Sequence, residues 1–328
     1  MALGKLSSVD TGDIDNVSSV SDIFKIAGVE YSSATVFTID TSLGDGAAGM
    51  MFNFYDVGAG TEIFINWGDG TEDTYTTEGF KSHTYSTGGV YTVSLLWSDN
   101  VHLSGFGFND EASRNSGPRK ITNVTQWGTS AIWNLRYSSN LTNITASGQP
   151  NFYQTSAPGG GFFNECRGLI NVNGLESWDV NGLSLTSWFV NTLSFNQDIS
   201  GWDVSSVTDM EALFFGSAFN RDISGWDVSS VTDMRRMFFF NQQFNFSLAN
   251  WELSSATNMT SMFDNANGLS DANVSATLIG WEAAATTASG VDASSCWGNR
   301  TMSETTYPAA KTAYDNLVSV KGWNLTNA

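Results

Sequence analysis

FNQDISGWDVSSVTDMEALF, residues 195–214, is followed by FNRDISGWDVSSVTDMRRMF, residues 219–238. Working outward from this pair, Trp178-Asp179-Val180 recurs as Trp202-Asp203-Val204, Trp226-Asp227-Val228 and Trp251-Glu252-Leu253, at spacings of 24, 24 and 25 residues. A period of that length implies one short supersecondary unit stacked on copies of itself, a solenoid. Such rods present long repeated surfaces, which bind more readily than they catalyse.

Stacking predicts columns, because equivalent residues of neighbouring coils lie roughly 4.8 Å apart where strands pair. Met210, Met234 and Met259 form one apolar column, beside Leu213, Met237 and Met262. Phe214, Phe238 and Phe263 form a third, and Phe195, Phe219 and Phe244 a fourth. These read as core. Asn196, Asn220 and Asn245 also align, and a ladder of Asn side chains satisfies backbone groups at bends.

Two further columns are candidates for a ligand or partner surface. Trp178, Trp202, Trp226 and Trp251 are expected to pack over a turn, each indole N–H reaching a backbone carbonyl or water, with sugar stacking as the alternative. Asp179, Asp203, Asp227 and Glu252 follow them, while Asp198 and Asp222 make a second acidic column. Like charges about 5 Å apart in water repel by roughly 0.8 kcal/mol per pair, which a wet surface tolerates. Turn capping is the first reading of these carboxylates. Calcium held by Asp203, Asp227 and Glu252 is the second, and no other cofactor is implied.

With the repeat included, the chain divides into five parts. Residues 1–32 read as an attachment segment or a strand leading into the next unit, and residues 33–100 as short strands. Val36 to Ile39, Met50 to Tyr55, Glu62 to Trp67 and Val90 to Trp97 are strand-like, with Asp69-Gly70 a tight turn, which argues an antiparallel sandwich. Residues 101–177 carry echoes of the repeat at Ile121–Val124, Leu141–Ile144 and Leu169–Val172, so they read as degenerate coils with insertions. Regular coils span 178–268, and 269–328 should close the open end with helices from Asp271 to about Ala285 and from Pro308 to Val320.

Composition bounds the partners. The 328 residues are 41% hydrophobic but only 14% charged, so Ser, Thr, Asn and Gly must dominate the surface, as in many extracellular or virion-type β proteins. The net charge of −19 argues against nucleic acid and anionic membranes. No apolar run of about 18 residues occurs, so no membrane insertion is expected. The first residues lack a signal-peptide core, so the chain is expected to be made in the cytoplasm and to stay soluble. Cys166 and Cys296 read as two unlinked thiols, and the Asn-x-Thr triplets as turn chemistry rather than glycan sites.

Two resemblances sharpen the fold. Trp67-Gly68-Asp69-Gly70, His83-Thr84-Tyr85 and Gly89-Val90-Tyr91-Thr92-Val93 occur in the order of a PKD domain, which residues 66–96 resemble. That resemblance implies an Ig-like β-sandwich used as an extracellular spacer or adhesion module. Residues 178–268 are similar to BspA-like leucine-rich-repeat surface proteins, whose unit reads roughly FN-x-DIS-x-WDVSSVTDM-x-x-MF, and Gln126-Trp127-Gly128 and Lys321 to Thr326 extend the likeness to both flanks. The expected fold is therefore mainly β with short helices: an Ig-like β-sandwich, then a leucine-rich-repeat-like solenoid with a helical C-terminal cap.

Catalytic residues are scarce. There are two histidines, His83 and His102, and no nucleophile elbow, phosphate loop or His-rich metal spacing. The repeated carboxylates obey the period, whereas an active site should break it. The chain is therefore expected not to be an enzyme; the opposing reading, a glycan-acting enzyme, predicts polysaccharide turnover lost on mutating Asp203 and Asp227. Extracellular-type modules without an export signal point to a bacteriophage virion surface, with the chain as a tail fibre or receptor-binding appendage. Residues 1–32 would dock it to other virion proteins, and the solenoid would meet a host glycan or protein, with avidity from repetition. A homo-oligomer is expected, though no heptads specify a trimer. A capsid decoration or head-fibre protein and a bacterial cell-surface adhesin remain as alternatives.

Overall fold

The computed structural model describes residues 24–26, 29–31, 34–43, 49–55, 57, 60–98, 105–107, 118–128, 131–132, 134–152, 161–284, 286–298 and 306–325. Of the expected attachment segment, residues 1–23 lie outside the described residues, and so does His102. Strands β1 (Phe24–Ile26) and β2 (Val29–Tyr31) pair antiparallel.

The region after them is built from β3 (Thr35–Asp40), β4 (Gly49–Tyr55), β5 (Ile63–Asn66), β6 (Glu72–Tyr75), β7 (Gly79–Thr84) and β8 (Val90–Trp97). Alternation puts Phe37 and Ile39 of β3 inward, and Ile63 and Ile65 of β5 likewise. Rings of β4 meet rings from the other sheet: Phe52 lies 5.9 Å from Phe37 and 5.9 Å from Trp67, and Phe54 lies 5.9 Å from Trp97. Strand β6 and strand β7 were not foreseen, because they sit at sheet edges and alternate only between half-buried and exposed.

The WGDG and HTY residues form one connected network. Trp67 Nε1 donates to Asp73 Oδ2 at 2.8 Å, and the Tyr85 hydroxyl donates to the Trp67 carbonyl at 3.0 Å. His83 stacks on Trp67 at 4.9 Å and meets Asp69 Oδ2 at 2.7 Å. Gly68 has φ 81° and a Cβ there would stand 2.3 Å from the Thr92 carbonyl oxygen, so only glycine fits this turn.

Both sheets run on past residue 100. Strand β10 (Ile121–Gln126) pairs antiparallel with β3 and parallel with β12 (Asn143–Ile144), which pairs with β14 (Asn171–Val172). Strand β9 (Gly105–Gly107) pairs with β4 and with β11 (Ala131–Ile132), which pairs with β13 (Asn151–Phe152). The boundary expected at 100/101 is therefore crossed by hydrogen bonds in both sheets. The physical reason is edge protection: the exposed edges of β3 and β4 are covered by the first strands of the following region.

From there the chain piles up in parallel units. Bridges link Asp209 to Asp233, Asp233 to Asn258, Asn258 to Asp292, and Asp292 to Asn324. The apolar columns lie inside, each Met, Leu and Phe of the four columns being at most 1% exposed. Phe189, Phe214, Phe238, Phe263 and Trp297 stack in turn at 5.7, 5.5, 5.3 and 4.9 Å. The Asn ladder is present: Asn220 N–H donates to Asn196 Oδ1, Asn245 N–H to Asn220 Oδ1 and Ser270 N–H to Asn245 Oδ1, at 2.9, 3.1 and 2.8 Å.

Helix α1 (Asp271–Ala283) starts at a Ser270 cap and buries Val274, Leu278 and Trp281; helix α2 (Pro308–Ser319) buries Ala310, Ala313 and Leu317. Residues 269–328, expected as the C-terminal cap, also carry the stacking on. The bridge ladder continues to Asn324, and Trp281 and Trp323 donate to Leu248 O and Ala288 O at 2.9 and 2.8 Å, as the repeat tryptophans do to theirs. Stacking thus persists where the sequence period has been lengthened by helical insertions. Cys166 and Cys296 are free and buried, and burial pushes both thiols well above their ordinary value. Among the described residues the protein is mainly β with two helices, of 13 and 12 residues.

Candidate functional site

The tryptophan column does not form a ligand surface. Trp178, Trp202, Trp226 and Trp251 are 3, 4, 3 and 0% exposed. Their Nε1 groups donate to Gly148 O, Leu175 O, Ile199 O and Ile223 O at 3.1, 2.8, 3.2 and 3.0 Å. Each indole bridges back to the preceding unit, and no ring face is left for a sugar. The sugar-stacking alternative is corrected on that ground.

The acidic column is outward and turned onto its own backbone. Asp179, Asp203 and Asp227 accept from the N–H two residues on, Asn181, Ser205 and Ser229, each at 3.0 Å. Asp198 and Asp222 do the same with Ser200 and Ser224 at 2.9 Å. Glu252 accepts from Thr286 Oγ1 at 3.3 Å. The capping reading describes this geometry, since Asx side chains mimic a backbone turn. Among the described residues no group of three His, Cys, Asp or Glu is placed to hold a metal ion.

This capping has a pH signature. Ser205 and Ser229, through hydroxyl and then N–H, hold the Asp203 and Asp227 carboxyls below the usual carboxylate range; for Asp198 the Ser200 N–H is the larger cause and its hydroxyl the next. A lowered folded value means the ionised acid favours the folded state. That contribution is complete above the unfolded carboxylate value of about 4 and is lost as pH falls through the folded one. Asp233 acts in the opposite sense, because burial raises its carboxyl despite help from Arg235. The lowered carboxyls outnumber it, so melting temperature should decline between about pH 5 and pH 3. The double variant Asp203→Asn, Asp227→Asn should flatten that decline in calorimetric scans.

A different face carries the chemistry that varies. Across residues 195–210 and 219–234 the two units differ at one position, Gln197 against Arg221. Across 211–218 and 235–242 they differ at six of eight: Glu211/Arg235, Ala212/Arg236, Leu213/Met237, Gly216/Phe240, Ser217/Asn241 and Ala218/Gln242. This segment is the turn that follows each Met. Alternate N–H groups there donate to the next unit, as Ala212 to Arg235 O, Phe214 to Met237 O and Gly216 to Phe239 O, at 2.9, 2.8 and 2.8 Å.

The turn needs left-handed backbone at two points. One column is Ser187, Ala212, Arg236 and Ser261, with φ of 59, 54, 56 and 55°. The other is Tyr137, Glu165, Asn191, Gly216, Phe240 and Asn265, with φ of 65, 64, 54, 60, 56 and 57°. Arg236, Phe240 and Asn265 of these columns are exposed and most other members half-buried, while Ala212 is buried. At the centre Phe240 is 50% exposed, 4.7 Å from the Phe239 ring, while Phe239 and Phe215 stack at 5.0 Å. Arg235 bonds Glu211 Oε2 of the preceding unit at 2.5 Å. Aromatic, cationic and amide groups therefore share one strip. Sequence reading missed it because Met237-Phe238-Phe239-Phe240 looks like uninterrupted core.

Phe240 is the informative residue. A bulky residue in left-handed backbone is strained by about 1–2 kcal/mol, and asparagine, which holds this position at 191 and 265, tolerates it better. Loss of the aromatic pair costs about 0.5–1.5 kcal/mol, so the two effects nearly cancel. Phe240→Asn should change unfolding free energy by less than about 1 kcal/mol in denaturant titration. A larger loss would show Phe240 to be a packing residue rather than part of the outward strip.

Comparison with curated proteins gave no match, and comparison with solved structures gave none either. Residues 160–276, which contain the regular units and this strip, match the family described as "Mycoplasma protein of unknown function, DUF285".

Proposed function

We propose that the chain is a non-enzymatic adhesion protein that displays the variable turn strip to a receptor. The observation that carries this reading is a contrast within one chain: residues 195–210 and 219–234 differ at one position, while the turn that follows differs at six of eight, four of those pairs placing Arg235, Arg236, Phe240 and Gln242 at the exposed surface. Packing accounts for the constant positions, and it places no demand on the exposed variable ones. A recognition surface does.

In the finer architecture we read the two facing sheets as an Ig-like, PKD-like sandwich and the piled units as a BspA-like, leucine-rich-repeat-like solenoid. Residue order in the WGDG and HTY network supports the first, and the bridge ladder with its Trp and Asn columns supports the second. The sandwich acts as a spacer and the solenoid as the contact element. We place the protein on a bacteriophage virion, as a tail-fibre or receptor-binding appendage, because its uncharged polar surface suits an assembled particle and repetition there multiplies weak contacts. The host partner is a surface glycan or protein. Attachment to other virion proteins through residues 1–32 and assembly into a homo-oligomer belong to the same proposal.

One observation favours a second reading, a bacterial cell-surface adhesin: the matched family carries a bacterial description. Mass spectrometry of purified virions against cell-envelope fractions separates the two. Recovery in virions supports the phage placement, and recovery only in the envelope ends it. Loss of cell binding in Phe240→Asn, with melting temperature kept, supports the strip under either placement.

A further inference from the structure

The left-handed column that carries Phe240 begins with Tyr137 and Glu165, and there the strip becomes concave. A cavity of about 270 Å³ is lined by Arg119, Tyr137, Ser139, Glu165 and Arg167. It lies a little below the roughly 300–1,000 Å³ of pockets for drug-sized ligands, so it suits one small group. The lining carries two arginines and one glutamate, a formal charge of 2 − 1 = +1, in a chain of −19. A cationic concavity in so acidic a molecule focuses field lines for an anion.

One of the two arginines is held in place by its neighbours. Glu165 Oε1 accepts from Asn191 Nδ2 at 2.8 Å, and its Oε2 accepts from Arg167 Nε at 2.8 Å. Asn191 thereby fixes Glu165, and Glu165 fixes Arg167 through Nε alone, leaving the Nη edge for a ligand. Arg119 is exposed and forms no ion pair with the described residues. Arg136 lies 5.3 Å over the Tyr137 ring and adds to the positive field. The Tyr137 hydroxyl, which accepts from Arg136 Nη2 at 3.4 Å, and the Ser139 hydroxyl line the same cavity.

We propose that this cavity is a receptor subsite for the carboxylate of an acidic sugar. Guanidinium groups bind planar carboxylates through paired, charge-assisted hydrogen bonds. The Glu165 carboxylate in the wall opposes a dianion such as phosphate, and so favours a monoanion. The two hydroxyls fit sugar hydroxyls. The proposal rests on the adhesion reading and names the chemistry of its partner.

Isothermal titration of the full chain with sodium glucuronate, glucose and sodium sulfate tests it. Glucuronate should bind at least tenfold more tightly than glucose and than sulfate. Arg119→Gln and Arg167→Gln, both at exposed side chains, should each weaken glucuronate about tenfold while leaving the melting temperature unchanged. Asn191→Ala should weaken it less, by loosening Glu165. Equal binding of glucuronate and glucose, sulfate binding as tight as glucuronate, or no binding of glucuronate would each overturn the subsite. If glucuronate fails while Phe240→Asn still abolishes cell binding, the subsite falls and the adhesion reading stands. If Phe240→Asn leaves cell binding intact while glucuronate binds as expected, the subsite stands without that reading.

Discussion

Trp226→Ala should cost about 4 kcal/mol of unfolding free energy, the range for deleting a buried Trp. The indole is 3% exposed, lies parallel to Trp202 at 6.4 Å with a 4° interplanar angle, and also stacks on Phe214. Its removal opens a cavity between two units and takes from Ile199 O one of its two donors, the other being Trp202 N–H at 3.1 Å. Trp226→Phe keeps most of the apolar area and loses mainly that bond, so it should cost about 1–2 kcal/mol. The two variants together separate packing from hydrogen bonding. Denaturant unfolding monitored by circular dichroism reads both, and a loss below about 2 kcal/mol for the alanine variant would mean that the column is not a principal source of stability.

Gly280→Ala should destabilise the protein although alanine is the better helix former. In an open helix this change gains about 1 kcal/mol. Here α1 lies so close to the preceding unit that a Cβ would stand 2.3 Å from Ala249 O and 2.6 Å from Ala249 Cα. Backbone atoms cannot rotate aside, so the helix must shift, and overpacking of this kind costs about 1–3 kcal/mol. The shift would also disturb the Trp281 bond to Leu248 O. We expect a net loss of about 1 kcal/mol, measured by thermal and denaturant unfolding. A gain in stability would show that α1 can move away from the Ala249 backbone at little cost.

The repeat made most of the core legible before any coordinates. Columns at Met210, Phe214 and Phe219 follow from a single period, since stacked units place equivalent residues together. Helix limits were also readable: Ser270 caps one start and Pro308 opens the other, and both helices end within two residues of the expected positions. Polar edge strands were not readable. In β7, GFKSHT has no apolar alternation, and its pairing with β4 depends on a neighbour distant in the chain.

Spacing and residue type alone determined that this chain stacks, that its Met and Phe columns are core and that its Asn residues form a ladder, because a period is a local property repeated along the chain. Long-range packing settled that the tryptophans are enclosed, that the sheets take in residues 105–107 and 121–126, and that stacking persists past the helical insertions to Asn324. The outward strip is of the same kind. Whether a Phe such as 238 or 240 faces core or solvent depends on the handedness of its turn, which a run of identical letters does not encode.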